Sequence, residues 1–271
     1  MTVDPNDLAL VDVNVAKLIW HHTSTQPDWP TRNFDPAAEL SDEIRRTVGG
    51  DHRVARWAER RRARALHVGT YEAAIHNMMR RIDNQSDHGS QFYLYRVHLV
   101  FTVKVRGGWL IDPSDFAGDV DLDEVCPPGI DVARYLNYHE DPGALSLALG
   151  RTAIACTQRL AIPRTCSDSA WTSTAVLELE RVAQSAPPSS GFRSTGSREA
   201  PSAKSIRARE LAAPLAEQLP VNLRRQFESA ARIEDTQDSA EWARYVVGLL
   251  DVLLMPERVL AELDRAAVGC H

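Results

Sequence analysis

The chain has 271 residues, 44% hydrophobic and 25% charged, with 14 Gly and 15 Pro. These proportions exclude a collagen, a coiled-coil rod and a wholly disordered chain, and the length suits one large domain or a medium domain with an appendage. The formal net charge of −6 argues against nucleic-acid binding by the surface as a whole, and the longest apolar run, Tyr245 to Met255, is broken by Gly248 and Asp251 and too short to span a membrane.

In chain order, an irregular acidic lead is followed by Val15-Ala-Lys-Leu-Ile-Trp20, expected as a short buried strand that ends at His21-His22-Thr23-Ser24-Thr25. Pro27, Pro30 and Pro36 deny regular backbone pairing and mark a loop. Asp51 is placed to cap a helix that carries Val54, Trp57 and Ala58 on one face. The other face holds Arg53, Arg56, Arg60, Arg61, Arg62 and Arg64. Ala65 to Gly69 reads as a strand and Thr70 to Arg81 as a helix, with Thr70 as N-cap and Ala74, Ile75, Met78 and Met79 on its apolar face. Gln91 to Val105 is rich in aromatic and β-branched residues and reads as one long strand, ended by Gly107-Gly108. Two further strands are expected at Leu145 to Leu149 and Ala153 to Ile162, closed by Pro163.

From Ser167 the period becomes helical, through Trp171, Ala175, Val176, Leu179, Val182 and Ala183. Residues 185–204 are rich in Ser, Pro and Gly and read as a linker or long loop. Beyond them, Leu223, Phe227, Ala230 and Ala231 form one helical stripe and Trp242, Tyr245, Val246, Leu249, Leu250 and Leu253 another, with Asp238 and Glu241 as a capping pair. A small helical bundle is the simplest account. The sequence opens on no basic-then-apolar signal segment, and Cys126, Cys156, Cys166 and Cys270 form no C-x-x-C pair. A cytoplasmic, reducing setting with free, mostly buried thiols is therefore expected.

The chemistry-bearing residues follow a distinctive order: Trp20-His21-His22-Thr23-Ser24, then Leu66-His67-Val68-Gly69-Thr70-Tyr71 entering a helix, then a long strand, then Asn137-Tyr138-His139-Glu140 ahead of an apolar strand. This order resembles the ADP-ribosyltransferase superfamily, the poly(ADP-ribose) polymerases and their bacterial H-Y-E relatives. The resemblance covers roughly residues 15–162. It implies an α+β fold, a split β-sheet core with peripheral helices and a C-terminal helical region. The corresponding divisions are a catalytic domain at 1–165, a helix and Ser/Pro/Gly-rich linker at 166–204 and a helical region at 205–271.

The activity implied is transfer of ADP-ribose from NAD to a macromolecular acceptor, protein or nucleic acid, with release of nicotinamide. Glu140 takes the place of the catalytic glutamate. The first-strand histidine fits two registers, and His22, in the H-T-S setting, is preferred over His21. His21, Thr23, Ser24, His67, Gly69, Thr70 and Tyr71 complete the NAD-binding set. His67 stands where the family has tyrosine, so either His67 or the adjacent Tyr71 supplies the aromatic face. No E-x-E or Q-x-E pair precedes Glu140, and arginine is not singled out as acceptor.

Physically, a carboxylate suits this bond cleavage because the ribose approaches an oxocarbenium ion as neutral nicotinamide leaves. On the same scaffold, an NAD glycohydrolase, a toxin-like role, a tRNA 2′-phosphotransferase-like activity and a non-catalytic module stay open. The phosphotransferase reading would need the Arg53–Arg64 helix to meet phosphate, although such a run is more often a solvated face. The module would use the Trp242, Tyr245 and Leu249 stripe for a partner. The nine histidines form no H-x-x-x-H or H-E-x-x-H spacing, and no metal is expected. There is no G-x-x-x-x-G-K-[ST] or G-x-S-x-G motif either.

Overall fold

The structure, a computed structural model, describes residues 2–31, 34–38, 40–84, 87, 89–114, 119–163, 169–185 and 201–270. The fold is mixed α+β, with two four-stranded sheets and ten α-helices among the described residues. In chain order the elements are α1 (Asp12–Val15), β1 (Trp20–Ser24), α2 (Asp42–Val48), α3 (Asp51–Arg62), β2 (Leu66–Val68), α4 (Tyr71–Asn84) and β3 (Phe92–Leu99). There follow β4 (Leu110–Ile111), α5 (Leu122–Val125), β5 (Val132–Leu136), β6 (Leu145–Leu149) and β7 (Ile154–Ile162). Helices α6 (Ala170–Ser185), α7 (Ala203–Ala216), α8 (Val221–Ala230), α9 (Ser239–Leu254) and α10 (Pro256–Leu263) precede a last strand, β8 (Val268–Cys270). No helix among the described residues is long and apolar enough to cross a membrane.

The chain divides into two compact units, one of Met1–His76, Tyr93–Leu160 and Glu262–His271, the other of Asn77–Phe92 and Ala161–Ala261. The first unit holds strands in the orders β1-β3-β7-β8 and β2-β6-β5-β4. β1 runs antiparallel to β3 with His21 opposite Arg96 and His22 opposite Tyr95. β6 lies between β2 and β5, antiparallel to both, and β4 is parallel to β5. All five residues of β6 are buried, as its unbroken Leu-Ser-Leu-Ala-Leu sequence requires of a strand covered on both faces. The core around it gathers Val15, Trp20, Tyr95, Val97, Val132, Leu147, Leu149 and Ile154.

Three expectations of this region are corrected. Val15 to Trp20 is not a strand: α1 ends at Val15, and the strand begins at Trp20, whose indole Nε1 donates to Val15 O at 2.9 Å. The polar His-His-Thr-Ser segment is itself the strand, because β3 satisfies its backbone and the Thr23 hydroxyl donates to Ala74 O at 2.8 Å. The long strand ends at Leu99 rather than Val105: Val100 N turns to Ala153 O at 2.9 Å, and the chain regains pairing at Val105 opposite Val132.

Strand β5, like the shorter β4, α5 and β8, is unforeseen in the sequence. It is buried throughout and carries Arg134 in its middle. Its guanidinium donates to Ala9 O at 2.9 Å, Leu10 O at 2.7 Å, Gly108 O at 3.0 Å and Arg106 O at 3.1 Å, and pairs with Asp12 at 2.5 Å. A buried charge is tolerable only with this degree of satisfaction.

In the second unit α6 packs against α9 and α7, and α7 against α8. Trp242 is fully buried, its indole donating to Ala231 O at 2.8 Å and its ring 6.0 Å from that of Trp171. Asp238 caps α9 by accepting from Glu241 N at 2.8 Å. With Trp242 and Leu249 buried and Tyr245 half-buried, the stripe considered for a partner is core. The Ser/Pro/Gly-rich segment lies outside the described residues at 186–200, and Ser202 already caps α7. The last ten residues belong to the first unit, where β8 pairs with β7, so the stretch 205–271 is not helical throughout. Of the four thiols, Cys126 is buried, Cys156 half-buried and Cys270 exposed, while Cys166 lies outside the described residues. The expectation of mostly buried thiols therefore fails for Cys270.

Candidate functional site

The site forms where β1 meets the end of β2. His21 N donates to Gly69 O at 2.8 Å and Gly69 N donates to His21 O at 2.9 Å, a single antiparallel bridge between strands of the two sheets. Both Gly69 backbone groups are thereby engaged. A glycine is needed here because an added Cβ would stand 2.8 Å from Ser146 Oγ and 2.9 Å from Ala73 Cβ. Thr70 then starts α4, its Oγ1 accepting from Ala73 N at 3.0 Å and donating to Asp141 Oδ2 at 2.6 Å.

That last contact ties the β2–α4 turn to the loop before β6. The loop is organised by Asn137, which is buried. Its Oδ1 accepts from the backbone N–H of His139 at 3.1 Å, Glu140 at 2.9 Å and Asp141 at 3.1 Å, while Nδ2 donates to Ser146 Oγ at 3.2 Å. Ser146 stands opposite Tyr135 on β5, and its Oγ is the atom that Gly69 must clear. His76 Nδ1, on α4, donates to Glu140 O. Glu140 is thus held through the backbone of its loop, and at 8% exposure the residue is buried.

The two histidine registers are separated by the structure. His22 turns away to stack on Trp29, centroids 4.1 Å apart and planes at 19°. His21 is buried, and its ring lies edge to face with that of Tyr71, centroids 5.9 Å apart and planes at 85°. The histidine beside Tyr71 is therefore His21, not the preferred His22. Both His21 ring nitrogens lack a hydrogen-bond partner among the described residues. Burial, aided by the charge of Arg96 and by His98, lowers the His21 pKa from 6.5 to about 4, so the ring is neutral at pH 7. A neutral imidazole offers one donor and one acceptor.

His67, on β2, lies within reach of the Glu140 charge. Its Nδ1 is hydrogen-bonded to Tyr135 Oη at 3.0 Å, with the two rings edge to face at 5.6 Å, and its Nε2 has no partner among the described residues. Burial lowers the His67 pKa, opposed by the charges of Asp112, Glu140 and Asp119. Ser24, also buried, accepts from Gln26 N at 3.1 Å and shapes the turn after β1.

Hydrogen bonds thus join His21, Gly69, Thr70 and the Glu140 loop at one junction, where Tyr71 meets His21 and the Glu140 charge reaches His67. The structure gives Thr23 and Ser24 structural hydrogen bonds and sends His22 to another face. Sequence reasoning missed Ser146, Asp141 and His76, which hold the Glu140 loop, and Tyr135, the partner of His67; all four depend on pairings across 9 to 71 residues. The Arg53–Arg62 helix is a solvated face over buried Val54 and Ala58, and Arg64 pairs with Asp119. No cluster of metal-ligating side chains occurs among the described residues. Comparison with protein-family models, with curated proteins and with solved structures gives no match.

Proposed function

We propose that this chain binds NAD and cleaves its nicotinamide–ribose bond, passing ADP-ribose to a macromolecular acceptor. The observation that carries the reading is a buried, neutral imidazole at His21 with both nitrogens unpartnered, set against Tyr71 at the junction to which Glu140 is fastened. Buried polar atoms without partners are costly. A ligand that presents hydroxyl groups, as a ribose does, fits them, because one ring nitrogen can donate and the other accept. The reading also rests on the sequence resemblance to ADP-ribosyltransferases, whose motif order falls here on β1, the β2–α4 turn and the loop before β6.

In this reading Tyr71, rather than His67, supplies the aromatic face, since His67 is engaged with Tyr135. Gly69 allows close approach of the turn to Ser146 and Ala73, and its own N–H and C=O, both bonded to His21, are not available to a carboxamide. As the glycosidic bond breaks, its electron pair leaves with nicotinamide and positive charge develops on the ribose. The carboxylate of the buried Glu140 stabilises that charge where little water competes. The nucleophile of the acceptor then bonds to the ribose carbon and gives up its proton.

The test is incubation of the full chain with NAD labelled on its adenosine half, with and without a cell lysate. Label on a protein or nucleic acid supports transfer. Label found only as free ADP-ribose identifies hydrolysis, and an intact NAD pool with no NAD-dependent thermal shift overturns the reading.

A further inference from the structure

Strand β8 lies antiparallel on β7 in a register that sets Cys156 opposite Cys270, Thr157 opposite Gly269 and Gln158 opposite Val268. Directly opposed residues of an antiparallel pair have Cα atoms roughly 4.5–5.5 Å apart, inside the ~4.4–6.8 Å that a disulfide spans. The side chains point to the same face of the sheet, and the neighbouring Cys270 helps to raise the Cys156 pKa. Opposed on one face, the two cysteines are separated by a distance that a disulfide spans.

The surroundings give the two thiols different parts. Cys270 is exposed and open to a small reagent, while Cys156 is half-buried behind it. Burial, then the neighbouring Cys270, raises the Cys156 pKa, so Cys270 is the sulfur that meets solution first. Cys126 offers a contrast within the same unit. It is buried, donates to Ala148 O at 3.6 Å and is pushed up to about 11, mainly by burial.

β8 also has something to gain from a second anchor. All three of its residues are exposed. The chain entering it is clasped at residues 263–266: Gln158 Nε2 donates to Leu263 O at 3.0 Å and Ala266 O at 3.1 Å. Arg96 Nη1 joins this clasp, reaching Gln158 Oε1 at 3.1 Å and pairing with Asp264 at 2.6 Å. Cys270 stands at the other end of the strand, where among the described residues it has cross-strand pairing but no such side-chain clasp.

We propose that Cys156 and Cys270 are a reversible dithiol–disulfide pair that pins β8 to β7. The oxidant is a low-molecular-weight disulfide. The Cys270 thiolate attacks one of its sulfurs, expelling a thiolate and leaving a mixed disulfide; the Cys156 thiolate then attacks the Cys270 sulfur and expels the second. Two protein thiols and one small disulfide become one protein disulfide and two small thiols, which take up the two protons. The inference is independent of the NAD reading.

The experiment treats the full chain with oxidised glutathione, blocks remaining thiols, and maps peptides without reduction. Expected is a Cys156–Cys270 crosslink as the main product, with the protein lighter by two hydrogens and the bond reversed by dithiothreitol. Amide exchange across residues 268–270 should slow by about tenfold or more once the strand can no longer fray. Cys156→Ser should stop at a glutathione adduct on Cys270, and Cys270→Ser, altering an exposed side chain, should give no crosslink while unfolding at the wild-type reduced temperature. A lasting adduct on Cys270 in the wild type, a crosslink to Cys126 or Cys166 instead, or unchanged exchange in β8 would overturn the proposal.

Discussion

Replacing His21 by glutamine isolates the one ionisation that burial at the site suppresses most clearly. The folded protein holds this imidazole at about 4 against an ordinary 6.5. Between those values the unfolded chain binds the proton and the folded protein does not, so stability falls as the pH drops. The contribution is fully present above pH 6.5, declines through the window and is lost below about pH 4. A depression of 6.5 − 4 = 2.5 corresponds to roughly 3 kcal/mol, of which about 2 kcal/mol is gone by pH 5. Glutamine is polar and of similar reach but does not titrate. Urea midpoints followed by tryptophan fluorescence, for both proteins at pH 8, 7, 6 and 5, should show the wild type losing about 2 kcal/mol more than the variant. The comparison is between the two curves, because His67, also lowered by burial, contributes to each. Parallel curves would refute the claim that His21 is a dry, neutral imidazole, and with it the argument for a ligand at its nitrogens.

Asn137→Ala removes the acceptor for three backbone N–H groups and the donor to Ser146. It should cost about 2–4 kcal/mol in urea unfolding, whereas Asn137→Asp keeps the acceptor and should cost less than half as much. Gly69→Ala places a methyl group 2.9 Å from the Ala73 Cβ, which cannot rotate away, and 2.8 Å from Ser146 Oγ. A loss of about 1–3 kcal/mol is expected from the overpacking, and a neutral result in thermal melts would show that the junction is looser than described. Trp242→Ala empties a fully buried site in the second unit and leaves Ala231 O without its donor. It should destabilise by about 3–5 kcal/mol, read as an earlier chemical-denaturation midpoint.

Legibility of the fold in the sequence followed the physics of each segment. Leu145–Leu149 and the α4 face of Ala74, Ile75, Met78 and Met79 were readable because burial alone dictates their patterns, and the Thr70 and Asp238 caps because their side chains act on neighbours three residues away. β5 was hidden by Arg134, a charge in a buried strand whose five partners lie on segments 26 to 125 residues distant. β1 was misplaced by four polar residues in a row, since nothing local reveals that the β3 backbone and Ala74 O satisfy them.

The candidate site shows the same division. Motif order brought His21, Gly69, Tyr71 and Glu140 onto one list, but two adjacent histidines on a strand differ only in the face they occupy. That face was set by Trp29 on one side and Tyr71 on the other. Gly69 stands in the expected NAD-binding set. Its pairing with His21 gives it a steric part instead.

The most direct test of the central claim is nicotinamide release from NAD by the full chain, wild type beside Glu140→Gln, with the folding of both checked by thermal melting. A Glu140 carboxylate that stabilises the developing ribose cation predicts measurable release by the wild type and a fall of about 100-fold or more in the variant, at little change in melting temperature. Equal release by both proteins, or none by a folded wild type, would contradict it.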